Sequence, residues 1–197
     1  MLAYLLFIIS LISPPPHGRS GKLFWDQSCL LTIHGESNVS KFACSYSSDR
    51  SASVDFLFKF TSDEYPVSAQ LNADPIRIPI TQFDCNIPGM RSDFRSLLQY
   101  KQHPFVRMNM NDISMREGPN ADIEFNLEIT LEIAGAQQIF TVPVTSEQGE
   151  DGQFYLFGEM NVDIRNYGLT PPTKFLGTVK VSPYVVVAFK IGIELEA

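Results

Sequence analysis

The chain has 197 residues, 44% of them hydrophobic, with 15 phenylalanines against one tryptophan. This length fits one domain of ordinary size, and the apolar fraction is enough to build a large core or to line an apolar cavity. The formal net charge of −7 argues against nucleic acid or an anionic membrane surface as partner, because contacts to phosphate groups need clustered Lys and Arg.

The N-terminal segment is typical of a signal peptide. Residues 2–12 are almost wholly apolar, a run too short to span a bilayer but long enough for the apolar region of an export signal. No Lys or Arg precedes this run, which leaves an apolar N-terminal strand as the alternative. We predict a signal peptide and leader over residues 1–20, and a single domain over residues 21–197. The mature chain is expected to be periplasmic or secreted and to contain no integral membrane segment.

Two strands are predicted next from alternating apolar and polar side chains, the period of a half-buried strand. The first spans residues 28–35 and resumes over residues 42–44 after a corner. The second spans residues 54–60, where Phe56 and Phe58 belong to the densest aromatic row of the chain. Aromatic rows occur both in filled cores and in ligand walls, so the pattern leaves both readings open.

The middle of the chain predicts one short amphipathic helix. Residues 61–75 are interpreted as a polar loop, and residues 76–80 as a strand in which Pro79 requires an edge, a bulge or an end. The helix is predicted from Pro88 to Gln99, since proline suits a first helical turn. Four apolar side chains share one face of it: Met90, Phe94, Leu97 and Leu98. This apolar face is expected to cover an open end of a barrel.

The strongest pattern is a strict apolar and polar alternation over residues 122–133, which follows a shorter strand at residues 106–111. Gly135 permits a tight turn, because glycine takes positive φ without steric cost. The alternation then restarts over residues 140–144, with Pro143 pointing to an edge or a bulge. A long antiparallel hairpin with one apolar face predicts a sheet that curves and closes on itself.

Two more strands, residues 154–164 and 184–195, bring the count to about eight, so the chain is predicted to be mainly β. No internal repeat or shift in composition divides the domain.

The order of these elements and four segments resemble the YceI-like family of secreted lipid-binding proteins. The segments are Gly35-Glu36-Ser37-Asn38-Val39 through Phe42, Met90-Arg91-Ser92-Asp93 to His103-Pro104-Phe105-Val106, Leu127 to Val144 around Gly135, and Asp163-Ile164-Arg165-Asn166-Tyr167-Gly168. The resemblance implies an eight-stranded antiparallel lipocalin-like β-barrel with one short helix capping an end. It also implies a lumen that holds a polyisoprenoid or another long amphiphile.

The three cysteines are an odd number for an exported chain, which leaves one thiol unpaired. Cys44 and Cys85 each end a strand and are expected at the same end of the barrel, so we predict a disulfide between them. The alternative pair is Cys29 with Cys44, which requires a tight bend at the corner of the first strand. Cys29 is in phase with Leu31 and is expected to be a small buried hydrophobe.

Patterns for catalysis or metal binding are absent from the sequence. His34 and His103 have no Cys, His or carboxylate at a recognisable ligand spacing. There is also no glycine-rich phosphate loop and no nucleophile elbow. We therefore predict a protein without enzyme activity, cofactor or metal.

We predict that the protein binds, transports or sequesters a long apolar lipid, a polyisoprenoid or a fatty amphiphile, in its lumen. Ten apolar residues are expected to line this lumen: Phe56, Phe58, Met108, Met110, Phe125, Leu127, Phe140, Phe154, Val187 and Phe189. The alternative is a secreted β-sandwich interaction module, in which the same rows fill a core between two sheets. Burial of the lipid chain would suffice for retention, so Arg91, Arg95 and Arg107 near the helix are expected to contribute little.

Overall fold

A computed structural model describes residues 19–25, 29–46, 52–62, 67–87, 89–117, 123–150 and 152–195. Within these residues the chain forms strands and a single α-helix, α1. In chain order they are β1 Arg19–Trp25, β2 Leu30–Glu36, β3 Lys41–Tyr46, β4 Ala52–Ser62, β5 Val67–Ala73, β6 Ile76–Pro79, β7 Phe83–Cys85, α1 Met90–Leu97, β8 Phe105–Glu117, β9 Ile123–Ile133, β10 Ala136–Gln148, β11 Phe154–Asp163, β12 Thr173–Lys174, β13 Val179–Lys180 and β14 Tyr184–Leu195.

The strands close into an eight-stranded antiparallel barrel. At three of the eight positions around the ring, two consecutive strands share one position: β1 with β2, β3 with β4, and β5 with β6. Both β1 and β2 pair with one edge of β14, and both β5 and β6 pair with one edge of β8. Pairing between β1 and β14 closes the ring. This closure confirms the predicted lipocalin-like barrel and excludes the two-sheet sandwich.

The predicted central hairpin is present as β9 and β10. Its turn consists of Ala134 and Gly135, with φ of 50° and 81°. A Cβ atom at Gly135 would lie 2.9 Å from Cε1 of His103, so both the backbone and the packing favour glycine there. Side chains along β9 alternate between buried and partly exposed, as the period of two predicts.

One predicted loop is wrong, because residues 67–73 of the segment 61–75 form strand β5. Its inward positions include Ala69, Leu71 and Ala73. Alanine contributes little to an apolar alternation, so the period of two was weak in the sequence. The hairpin β12–β13 was not predicted from the sequence.

Most of the predicted leader, residues 1–20, lies outside the described residues, and the leader stays a prediction. Strand β1 begins at Arg19. No helix among the described residues is long and apolar enough to cross a membrane.

Helix α1 caps one end of the barrel, which we call the α1 end; the opposite end is the far end. The ring of Phe94 packs on the ring of Phe83 in β7, with centroids 5.1 Å apart. Cys44 in β3 and Cys85 in β7 are directly opposite each other and form a disulfide, while Cys29 is buried and is not part of a disulfide. The disulfide therefore fastens β7, the strand that leads into α1, to the barrel wall.

Candidate ligand-binding cavity

An apolar cavity of about 80 Å³ lies inside the barrel beneath α1. Its surface is formed by apolar atoms. The lining residues come from eight strands (β2, β3, β6, β7, β8, β9, β11 and β14), from the residue after β11, from the segment before β14, and from α1 with the residue after it. They are Leu31, Ile33, Phe42, Cys44, Ile78, Phe83, Phe94, Leu97, Leu98, Val106, Met108, Leu131, Ile133, Met160, Val162, Ile164, Val181, Ser182, Val185 and Val187. Such a surface offers a ligand dispersion contacts and desolvation rather than charge recognition.

The alternation of each strand explains why this lining is apolar. Leu131 and Ile133 on β9 point inward, and so do Met160 and Val162 on β11. Their neighbours on the same strands face outward, and Asn161, for example, is exposed. The lumen therefore receives one apolar side chain from every second position of each strand.

Exposed polar contacts of α1 add to its apolar packing. The Arg91 guanidinium pairs with the Asp84 carboxylate, where its hydrogen bond lowers the pKa of that carboxyl. Nζ of Lys174 in β12 lies 2.7 Å from Oδ1 of Asp93. Exposed ion pairs contribute only about 0–1 kcal/mol each. No residue of Met90–Leu97 is fully buried, yet Met90, Phe94 and Leu97 pack against the core, so α1 is a lid held by apolar packing as well as by ion pairs.

The basic residues predicted near the lid lie there, but they do not face the cavity. Arg91 and Arg95 line a separate polar groove of about 590 Å³ on the outer side of α1, together with Lys101. Arg95 donates a hydrogen bond to the backbone oxygen of Thr81, and its Nε atom is buried without a partner. Arg107 pairs with Glu132 on the barrel wall.

Large buried side chains lie in the barrel interior between the cavity and the far end. Leu127 and Ile129 have 0% of their surface exposed, and Phe56 has 2%. The ring of Phe189 lies directly over Gly158, where an added Cβ atom would be 2.4 Å from Cζ of the ring. Glycine on β11 thus lets an aromatic ring of β14 occupy the lumen.

Two of the ten predicted lumen residues, Met108 and Val187, line the cavity. Phe125 and Phe189 line a separate open depression of about 730 Å³ in the barrel wall. The backbone of Phe58 lies in β4 beside β1 and β5, and its side chain lies outside the described part of the structure.

The other five predicted residues lie beyond the cavity. Phe56, Met110 and Leu127 are buried with at most 2% of their surface exposed. Phe140 and Phe154 are half-buried and pack against the same core. The structure thus places the ten residues along most of the barrel axis rather than around one space.

Most of the cavity wall was missed from the sequence. The prediction favoured phenylalanine and methionine, whereas branched aliphatic residues such as Ile133, Val162 and Val185 form much of the wall. The useful signal was position: these residues lie on the inward rows near the end that the amphipathic helix was expected to cover.

No group of three or more His, Cys, Asp or Glu side chains that could hold a metal ion occurs among the described residues. His34 is exposed on β2, and His103 packs against the turn at Gly135.

The amino-acid sequence matches no protein-family model and no curated protein. Solved structures, in contrast, match over most of the chain. BcnA of Burkholderia cenocepacia aligns with a TM-score of 0.55 and 15% identity, covering 84% of this chain and 95% of its own. A polyisoprenoid binding domain from Saccharophagus degradans, implicated in plant cell wall breakdown, aligns with a TM-score of 0.54 and 10% identity, covering 89% and 98%.

A YceI protein of Campylobacter jejuni also matches, with a TM-score of 0.43, 13% identity and coverage of 73% and 82%. Identities this low indicate a shared fold and not a shared ligand. The chain therefore shares the barrel fold of BcnA and of the polyisoprenoid binding domain, as the resemblance in its sequence predicts.

Proposed function

We propose that this protein binds a long apolar lipid, a polyisoprenoid or a fatty amphiphile, with the lipid chain in the cavity beneath α1. The observation that carries the proposal is a cavity inside the barrel whose surface is formed by apolar atoms. Each methylene group buried there gains about 0.8 kcal/mol, so a lipid chain can be retained without a charged contact. The role is carriage or sequestration, and it requires no catalytic group.

The cavity is smaller than a long lipid chain requires, so binding has to enlarge it. Ligand pockets usually measure ~300–1,000 Å³, whereas this cavity measures about 80 Å³. A long chain therefore has to enlarge it, by lifting α1 and by rearranging flexible side chains. Met108 and Met160 in the wall are suited to this, because an unbranched thioether side chain repacks at little cost.

Two further observations support the proposal. The Saccharophagus degradans domain that shares this fold is named a polyisoprenoid binding domain. Disulfides such as Cys44–Cys85 form and persist in oxidising compartments. An exported protein reaches such a compartment, which agrees with the predicted signal peptide and leader over residues 1–20. We propose a periplasmic or secreted location on these grounds.

A pair of phenylalanine substitutions on β11 tests the proposal. Val162 is 1% exposed and lines the cavity, whereas Asn161 beside it is exposed on the outer wall. Val162→Phe should fill the cavity and remove co-purifying lipid, while Asn161→Phe should leave lipid binding unchanged. Organic extraction of each purified protein, followed by mass spectrometry, measures the lipid per mole of protein.

Lipid at wild-type levels in a folded Val162→Phe protein would contradict the proposal, and so would a wild-type protein that binds no added polyprenol or fatty alcohol. Circular dichroism checks that each variant is folded.

A further inference from the structure

The β12–β13 hairpin presents two large apolar side chains to solvent at the α1 end. Phe175 and Leu176 form its turn, with 80% and 108% of their surface exposed. We call this pair the apolar tip. Isolated exposed apolar residues are common on protein surfaces. Here, in contrast, two of them are adjacent at the end of a projecting hairpin.

The backbone of the tip makes the choice of residues more unusual. The N–H of Gly177 donates to the carbonyl oxygen of Lys174 over 3.2 Å, which closes a tight turn. Its central residues, Phe175 and Leu176, have φ of 52° and 56°. Turns of this kind favour Asn and Gly, and the left-handed conformation is unfavourable for other side chains. Neither intrinsic preference nor burial explains an apolar pair at this turn.

The hairpin is fixed beside the candidate cavity. Asn38, in the turn between β2 and β3, donates from Nδ2 to the carbonyl oxygen of Thr178 over 2.9 Å and accepts from the backbone N–H of Lys180 over 2.8 Å. Lys174 binds Asp93 of the lid. Strand β13 leads directly into Val181, which lines the cavity. The tip therefore projects from the end of the barrel through which a ligand would enter beneath α1.

The shape and charge of the tip indicate its partner. A stable protein interface buries ~800 Å² on each side, far more than two side chains supply. Lys180 at the base of the hairpin is exposed, and lysines can extend to the head-group layer while apolar side chains insert below it. The net charge of −7 opposes a strongly anionic surface, so the fitting partner is a neutral bilayer.

We propose that the apolar tip inserts into the interface of a neutral lipid bilayer and holds the α1 end of the barrel against it. The lipid chain then moves between the membrane and the cavity without crossing water. This step rests on the proposed function, whereas attachment of the tip to a bilayer does not require a bound ligand.

Co-sedimentation with phosphatidylcholine vesicles tests the attachment. Replacing Phe175 by Asn and Leu176 by Gly removes the apolar tip and supplies the residues that the turn prefers. This double variant should lower the vesicle partition coefficient at least about tenfold while its melting temperature stays equal or rises. A control double variant, Leu30→Ser with Leu57→Ser, removes two apolar side chains that are each about half exposed on the barrel wall, 49% and 48%, and should bind like the wild type.

The proposal fails if the wild type does not bind these vesicles, or if the tip variant binds as well as the control. Vesicles with added phosphatidylglycerol should bind the wild type more weakly at low salt, because the net charge is negative. Stronger binding there would replace tip insertion with a charge-driven contact. The Val162→Phe protein separates the two proposals, because it should bind vesicles normally although it takes up no lipid. Vesicle binding by a wild-type protein that takes up no lipid would refute only the proposed function.

Discussion

Replacing Leu127 and Leu131 by alanine, one at a time, compares the filled and the hollow parts of the barrel on one strand. Both side chains point inward from β9, and their exposed fractions are 0% and 4%. Leu131 lines the cavity, and Leu127 does not. The two substitutions thus remove the same atoms from two environments that differ mainly in whether a void lies beside them.

The expected losses of stability differ for that reason. A buried Leu→Ala change costs about 2.7–5.0 kcal/mol, increasing by about 24 cal/mol for each Å³ of void created. Leu127 is surrounded, so we expect about 4–5 kcal/mol there. Leu131 already lacks neighbours on its cavity side, so we expect about 2.5–3 kcal/mol. On the same scale the existing void of about 80 Å³ represents about 2 kcal/mol, which a bound lipid chain would offset.

Urea unfolding of delipidated protein, followed by circular dichroism, measures both losses. The unfolding slopes should agree among the three proteins, since they expose similar surface. Adding a polyprenol should then increase the loss at Leu131 and leave the loss at Leu127 unchanged. Equal losses without lipid, or a larger loss at Leu131, would refute the distinction between a hollow α1 end and a filled interior beyond it.

Three further predictions concern the disulfide, a carboxylate pair and the lipid head group. Replacing Cys44 and Cys85 by alanine should cost about 4 kcal/mol in urea unfolding, the chain-entropy value for a closed loop of this length, whose ends are 41 residues apart; unlinked thiols in oxidised protein would contradict the pairing. Burial, with a smaller contribution from Glu128 opposite, raises the pKa of Asp112. The native state therefore favours the protonated acid, and the stability that this provides is lost as pH rises through the raised pKa. Asp112→Asn should accordingly raise the free energy of unfolding by about 0.2–1 kcal/mol near neutral pH. This gain should vanish below pH 3.8, the ordinary pKa of an aspartate. A gain that grows as the pH falls would contradict the direction of the pKa shift. Arg95→Glu should change the calorimetric affinity for a lipid diphosphate by less than about tenfold, whereas shortening the lipid by several isoprene units should weaken it far more; the reverse order would indicate a head-group receptor.

The fold was largely predictable because a half-buried sheet leaves its period in the sequence. The alternation through β9, β10 and β14 directly reflects which side chains point inward, and the apolar face of α1 reflects the opening that it covers. Strand β5 was missed because Ala69 and Ala73 carry too little apolar surface to show an alternation. The β12–β13 hairpin was missed because its turn has Phe175 and Leu176 where a recognisable turn has Asn and Gly.

The site was less predictable, for a different physical reason. Alternation shows that a side chain points into the lumen, but not whether its neighbours from other strands fill the space there. Phe189 was predicted to line the lumen, and its ring packs over Gly158 on another strand, away from the cavity lining. Met108 and Val187 line a void because the side chains around them leave one. Such differences depend on cross-strand register, which a single sequence does not contain.

Photo-cross-linking of a long apolar lipid tests the central claim most directly. A polyprenol or fatty alcohol with a diazirine at its apolar end is bound to the protein, and the complex is irradiated. Peptide mass spectrometry then identifies the residues that carry the cross-linked lipid. The account predicts cross-links to cavity residues such as Leu131, Met160 and Val187, and their loss in the Val162→Phe protein. Cross-links confined to the outer depression, at Phe157 or Glu159, would show that the lipid lies on the wall and would contradict binding inside the barrel.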